Sequence, residues 1–275
     1  MRPAVASTFH VVVHNLPAWL DWQRLVGPGD WAAHEAQNGW LTVEAELSRD
    51  AAADLAVRLR GVGIGGRLLQ FETTPTLRRK ELRQANTDEA RRRREGSTGF
   101  SKSGTRVDQE GKISLTPETL AFELGQRAGN QRVIDAFAGA GGNAIGFARA
   151  GCAVTAIELD AERLAMARHN AGRYGVSDRI KFIHGDARTL VPELEADLIF
   201  LDPPWGEDYD RERVTLGGLP PCAKVLEASS HIKNRWIKVP PSFDPGTLPD
   251  CQPQAFFGVG AGDDRRVKFL LLKLS

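Results

Sequence analysis

The stretch "VIDAFAGAGGNAIGFARAG", Val133–Gly151, reads as a buried strand, a glycine turn and an amphipathic helix. Glycines allow the tight turn and bring backbone amides close to a ligand beside the positive end of the following helix. Gly139, Gly141 and Ala144 satisfy the relaxed G-x-G-x-x-A dinucleotide pattern, which admits a nicotinamide or flavin enzyme. Asp135 argues against one. It lies four residues before the first glycine, at the end of the strand, where a carboxylate repels a pyrophosphate and holds an ammonium group.

Short apolar strands alternate with helical stretches downstream. Val133–Phe137, Ala153–Glu158, Ile180–His184, Leu198–Leu201 and Trp236–Val239 are the strands; Asn143–Ala150 and Ala161–Tyr174 separate the first three. This order predicts an α/β fold with a doubly wound, mostly parallel sheet of seven strands, covered on both faces. "QAFFGVG" and "RRVKFLLLKLS", separated by "AGDD", read as an antiparallel hairpin that completes the sheet. Ligands of such sheets sit at the carboxyl ends of the strands.

Acids stand at those ends. Glu158 closes "AVTAIELD", where a carboxylate accepts ribose hydroxyls, and Asp186 in "IHGDA" is placed to accept from an adenine amine. Three acids at the tips of successive strands fit a cofactor that carries a ribose and an amino acid, with no phosphate: S-adenosylmethionine. Its expected contacts are Asp135, Phe137, Gly139, Gly141, Glu158, Leu159, Asp186, Ala187 and Asp202.

The fourth strand runs into "DPPW", Asp202 to Trp205. An exocyclic base amine is a poor nucleophile because its lone pair is delocalised into the ring. Acceptors aimed at its hydrogens, the Asp202 carboxylate and the Pro203 carbonyl, localise that lone pair and stabilise the developing positive charge. Pro203 and Pro204 fix φ and remove backbone donors. Trp205 offers a stacking face worth about 1–3 kcal/mol. Asp202, Pro203, Pro204 and Trp205 are therefore the catalytic candidates.

From Gly99 to the carboxyl end the chain resembles the trimethylguanosine synthase family, the RNA cap guanine-N2 methyltransferases. The resemblance rests on "GFSKSGTRVDQEGKISLTPETLA", "DAFAGAGGNAIGFA" and "LDPPWG". It implies a class I methyltransferase fold and transfer from S-adenosylmethionine to the exocyclic amine of a guanine in RNA. It also implies that Thr116 and Pro117 line the donor, that Asn143 of the Gly-Gly-Asn at 141 to 143 binds it, and that Asp202 to Trp205 align guanine, with Trp205 stacked on it. Gly206 is followed here by Glu207 and Asp208, where family members commonly carry a second glycine and a proline. Adenine-N6 and ribosomal-RNA guanine enzymes share the same chemistry. A non-catalytic RNA-binding protein and a small-molecule methyltransferase are the alternatives of another class.

Bulk properties set the frame. The 275 residues are 41% hydrophobic and 26% charged with a net charge of +1, so any RNA site is a local patch. Residues 1–75 read as a small α/β domain of unknown role, with strands at Phe9–Val13 and Trp40–Leu47 and helices at 17–25 and 50–60. Its tryptophans, Trp19, Trp22, Trp31 and Trp40, favour core or interface packing over a base-stacking surface. Residues 76–112 form a basic helix and linker, and 113–275 the methyltransferase domain. Arg91, Arg92, Arg93, Arg94 and Lys102 are RNA-binding candidates, although charge runs are as readily solvated surface. The odd, scattered cysteines predict neither disulfide nor zinc. Met1 to Ser7 lacks a secretory core and no run reaches a membrane span, so the expectation is a cytoplasmic protein with RNA as partner, and neither membrane nor metal.

Overall fold

The computed structural model describes residues 8–36, 38–206 and 208–274; Met1 to Ser7, Gln37, Glu207 and Ser275 lie outside them. The chain builds two principal sheets. The first comprises β1 (Thr8–Pro17), β2 (Ala32–Ala36), β3 (Trp40–Ser48) and β6 (Gln70–Thr74), with α1 (Trp22–Val26) and α2 (Arg49–Leu59) in the connections. A small hairpin of β4 (Gly63–Ile64) and β5 (Arg67–Leu68) precedes β6. The strand order is β2-β3-β1-β6, antiparallel throughout, the arrangement of a βαββαβ split unit. Phe9, Val11, Val13, Val43, Ala45 and Leu47 alternate inward with the pleat and meet Leu55 and Leu59 of α2. The expected helix at 17–25 is shorter. Pro17 still pairs with Trp40 as the last residue of β1, and α1 starts only after Asp21, whose carboxylate caps it.

Helix α3 (Arg79–Arg92) and the short α4 (Gln109–Ser114) lead to α5 (Glu118–Ala128). The second sheet then contains β7 (Arg132–Asp135), β8 (Ala153–Glu158), β9 (Ile180–His184), β10 (Leu198–Leu201), β11 (Asn234–Val239), β12 (Gln252–Phe257) and β13 (Val267–Leu274). Its order is β12-β13-β11-β10-β7-β8-β9. The five strands from β7 to β11 are parallel and β13 is antiparallel to both neighbours. Helices α6 (Gly142–Arg149), α7 (Ala161–Tyr174), α8 (Ala187–Leu190) and α9 (Pro220–Ala228) occupy the crossovers.

All four residues of β10 are buried, because the sheet is covered on both sides. Leu198 and Phe200 face a core with Leu120, Phe147 and Tyr174. Ile199 and Leu201 face the opposite core with Cys222, Val225 and Leu226. This is the expected α/β fold, with a doubly wound, mostly parallel sheet of seven strands. The chain winds outward from β7 in one direction and from β10 in the other. The crevice at this switch point, beyond the carboxyl ends of β7 and β10, is where an open α/β sheet binds its ligand.

The two sheets are fastened together. Phe257 at the end of β12 belongs to the first sheet's core, and Arg24 lies over its ring at 4.7 Å. The Arg24 guanidinium donates to the carbonyls of Asp264 at 2.8 Å and Gly258 at 3.0 Å. Arg58, buried beneath, donates to the carbonyls of Leu25 and Val26, and burial lowers its pKa to about 10.

Candidate active site

Strand β7 delivers Asp135 to the crevice as its last residue, fully buried. The chain then turns through Gly139 at φ +52° and Gly141 at φ +91°, conformations that glycine adopts without cost, and enters α6. Neither oxygen of Asp135 completes a well-formed hydrogen bond. Burial raises its pKa to about 8, with the nearby Asp202 and Glu158 charges adding to the rise and the amides of Phe137 and Ala144 opposing it. Glu158, at the end of β8, braces the turn: its oxygens accept from the Gly139 amide at 2.7 Å and the Asp160 amide at 2.9 Å. Beside it Leu159 is 66% exposed, an apolar side chain facing solvent at the strand tip.

Asp186 caps α8 through the Arg188 amide at 2.9 Å, and the Arg188 guanidinium grips both its oxygens. That guanidinium, first among the causes, lowers the Asp186 pKa. An adenine amine would share this carboxylate with Arg188, a partner the sequence reading did not include. Ala187 is buried next to it and Phe137 is half-buried in the glycine turn.

Beyond β10 the chain reaches Asp202, on the strand adjacent to β7 and two residues past the Phe200–Asp135 pair. Three donors converge on its Oδ2: Asn143 Nδ2 at 2.8 Å, Lys238 Nζ at 2.8 Å and Thr116 Oγ1 at 3.5 Å. Lys238 was not among the sequence candidates. Its side chain is 4% exposed, and its ammonium lies 5.2 Å from the Trp205 ring and 5.4 Å from Phe269. A buried ammonium demands a carboxylate, and Asp202 supplies it. Pro203 is buried and Pro204 exposed. Trp205 is half-buried and meets Tyr209 edge-on at 5.8 Å.

Several polar atoms here are buried without a well-formed hydrogen bond: both oxygens of Asp135, Oδ1 of Asn143 and Nε1 of Trp205. Buried polar groups are almost always hydrogen-bonded, so such a set marks a place shaped for a ligand. The donor set of carboxylates, amide and glycine-turn backbone suits a group with an ammonium, a ribose and no phosphate. Among the described residues no group of three or more His, Cys, Asp or Glu is arranged to hold a metal.

The segment before α5 is pinned over this crevice. Fully buried Asn170 accepts from the Arg106 amide at 2.7 Å and donates to the carbonyls of Arg106 at 2.8 Å and Ala140 at 2.9 Å. Asp108 pairs with Arg163 at 2.7 Å. Burial of Glu118 is outweighed by hydrogen bonds from the Tyr174 hydroxyl, the Ser101 amide and Arg149, which hold its carboxyl at about 2. Thr116 and Pro117 are thereby buried against the site.

The basic run is divided. Arg92 pairs with Asp54 and Glu89, and Arg93 with Glu89 at 2.8 Å. Arg91, 72% exposed, pairs with Asp88 at 3.0 Å; Arg94 is exposed. Lys102 donates to the Arg173 carbonyl at 3.2 Å and covers the Tyr174 ring at 5.3 Å. Arg92 and Lys102 are thus engaged in packing the chain against itself.

Residues 130–215 match the sequence model of a family described as RNA cap guanine-N2 methyltransferase. Trimethylguanosine synthase of Schizosaccharomyces pombe is 38% identical over 113 residues, spanning 38% of this chain and 47% of that protein. The Saccharomyces cerevisiae protein of the same name is 34% identical over 104 residues, 34% of this chain and 33% of that one. A ribosomal RNA small subunit methyltransferase J of Rhodopseudomonas palustris is 43% identical over 79 residues, 26% of this chain and 39% of that one. The chain spans less than half the length of these relatives. The resemblance carried by "DAFAGAGGNAIGFA" and "LDPPWG" is thus shown by the family match, which covers both stretches, and the family implies a methyl donor of the S-adenosylmethionine type.

Proposed function

We propose that this protein is an S-adenosylmethionine-dependent N-methyltransferase that acts on the exocyclic amine of a guanine in RNA. The observation that carries this reading is the pairing of two carboxylates at the switch point. Asp135 is buried with unsatisfied oxygens, and Asp202 has Oδ2 occupied by Asn143 and Lys238.

Asp135, Asn143, Gly139 and Glu158 would hold the donor, with Thr116, Pro117, Leu159 and Asp186 around it. When bound, the donor supplies a methyl group made electrophilic by its sulfonium. Asp135, once ionised, holds the donor's ammonium, and the glycine turn leaves room for the amino-acid portion. Asn143 links the two halves of the site: its Nδ2 holds Asp202 while its Oδ1 remains available to a ligand.

Asp202 acts on the acceptor. With Oδ2 saturated, Oδ1 is the oxygen toward which an amine hydrogen points, and the Pro203 carbonyl receives the other. These two acceptors turn the lone pair out of the ring plane and stabilise the charge that forms on nitrogen. Lys238 fixes the Asp202 carboxylate in that orientation, so no side-chain reorganisation accompanies the reaction. Trp205 packs the base. The proton leaves only after the nitrogen has become cationic, which makes a strong base unnecessary.

Similarity to a ribosomal RNA methyltransferase favours ribosomal RNA as a second substrate reading, with the same base chemistry. The test is incubation with methyl-labelled donor and separated RNA pools, followed by nucleoside mass spectrometry. Label in N2-methylguanosine supports the proposal. Label in N6-methyladenosine transfers it to adenine, and label confined to metabolites refutes an RNA substrate.

A further inference from the structure

The first sheet has a second face, turned away from α2. Along most of it histidines are matched by carboxylates: His10 with Glu44 and Glu46, His34 with Glu44, and His14 with Glu72 at the edge. At the His14 end of this face a recess of about 410 Å³ opens. Its lining has one formal charge, Arg67, and no carboxylate. Arg67 lies over the Trp40 ring at 4.3 Å. Around this layered pair stand three side-chain amides, Asn15, Asn38 and Gln70, with His14 bonded to Thr42 at 3.1 Å. Asn15 and Asn38 both hold φ at +63°, a left-handed conformation uncommon outside glycine.

The recess adjoins the catalytic sheet. Arg67 belongs to the β4–β5 hairpin, and the Gly65 amide of that hairpin donates to the Pro241 carbonyl at 2.9 Å, just past β11. A side chain at Gly63 would collide with the Arg211 carbonyl, and one at Gly66 with Asp244. The hairpin therefore seats against the loops that follow Asp202–Trp205 and β11, and its Arg67 lines the recess.

We propose that this recess is a nucleotide subsite for the RNA strand whose target base enters the Asp202–Trp205 pocket; it rests on the RNA reading above. An indole and a guanidinium plane stack an unpaired base, and amide and imidazole groups recognise its edges. Arg67 has no carboxylate partner among the described residues, which leaves its charge for a phosphate. Glu44 and Glu46, beside His10 farther along the face, disfavour a phosphate backbone there.

The test uses the full chain and a labelled single-stranded RNA. Arg67→Glu, and separately the paired change Asn38→Ala with Gln70→Ala, should weaken RNA affinity by about tenfold or more, the scale of losing one stacked base. Donor affinity and turnover at saturating RNA should remain native. Photo-crosslinking of 4-thiouridine RNA to the native protein should label peptides containing Trp40 or Arg67. RNA affinity within about twofold of native in both variants, with no crosslink to these peptides, overturns the subsite. If RNA binds with this sensitivity but never accepts methyl, the subsite stands and the catalytic reading fails. If RNA is methylated and both variants behave as native, the catalytic reading stands and the subsite fails. If free mononucleotides abolish the crosslink as well as the oligonucleotide does, the recess binds nucleotides rather than a strand, and the proposal is overturned.

Discussion

Replacing Asp135 by Asn should stabilise the ligand-free protein at neutral pH while abolishing its grip on the donor. The Asp135 carboxyl is fully buried and its pKa stands at about 8, against an ordinary value near 4. Below about pH 4 it is protonated in the folded and unfolded chain alike and costs nothing. Above that, the unfolded chain releases the proton and the folded chain keeps it, so native stability falls by about 1.4 kcal/mol per pH unit until about pH 8. At pH 7 the accumulated penalty is about 4 kcal/mol. Asparagine removes this penalty but leaves a buried amide short of partners, at a cost of about 1–3 kcal/mol at every pH. The variant should therefore gain on the native protein as pH rises from about 4 to about 8, and stand about 1–3 kcal/mol more stable at pH 7. Denaturant unfolding at a series of pH values measures this. Calorimetry in buffers of different ionisation enthalpy should show donor binding to the native protein releasing close to one proton at pH 7, because the donor's ammonium takes the ionised carboxylate. A native-minus-variant stability difference that does not change with pH would refute the assignment of Asp135.

Asp202→Asn preserves shape and should lower turnover by about 100-fold or more with donor affinity close to native, as judged by single-turnover kinetics and calorimetry. Lys238→Met leaves Asp202 without its ion-pair partner and should cost about 3–5 kcal/mol of stability as well as activity; combining it with Asp202→Asn should restore most of the stability and none of the turnover, and denaturant curves of the three variants test this. Arg91→Ala with Arg94→Ala should weaken RNA binding and flatten its salt dependence, whereas Arg92→Ala should mainly destabilise the fold, because Arg92 pairs with Asp54 and Glu89; anisotropy titrations over salt and thermal melts separate the two.

The parts legible in the sequence were those in which chemistry and periodicity coincide. The run from Val133 through the glycine turn into α6, and the all-apolar β10 ending in Asp202, each announce a strand tip without help from other elements. Lys238 was illegible because "RWIKVPP" reads only as a strand. It becomes a partner of Asp202 through the parallel register that sets Leu201 opposite Ile237, and register is a tertiary fact. Arg188 sits two residues from Asp186, yet side-chain direction at a helix start decides whether they meet. The topology of the first sheet was also hidden. "AAHEA" and "QFETT" alternate too weakly to declare β2 and β6, and Pro17, which read as a helix start, ends β1 instead. The arginine run looked uniform in sequence; folding consumes Arg92 in the contact between α3 and α2 and leaves Arg91 and Arg94 at the surface.

The most direct measurement is a crystal structure with S-adenosylhomocysteine and a guanine nucleotide bound. The expected result has the product's amino group against Asp135 and the guanine exocyclic nitrogen within hydrogen-bonding distance of Asp202 Oδ1 and the Pro203 carbonyl. A guanine bound elsewhere, or an amino-acid portion directed away from Asp135, would contradict the division of labour between the two carboxylates.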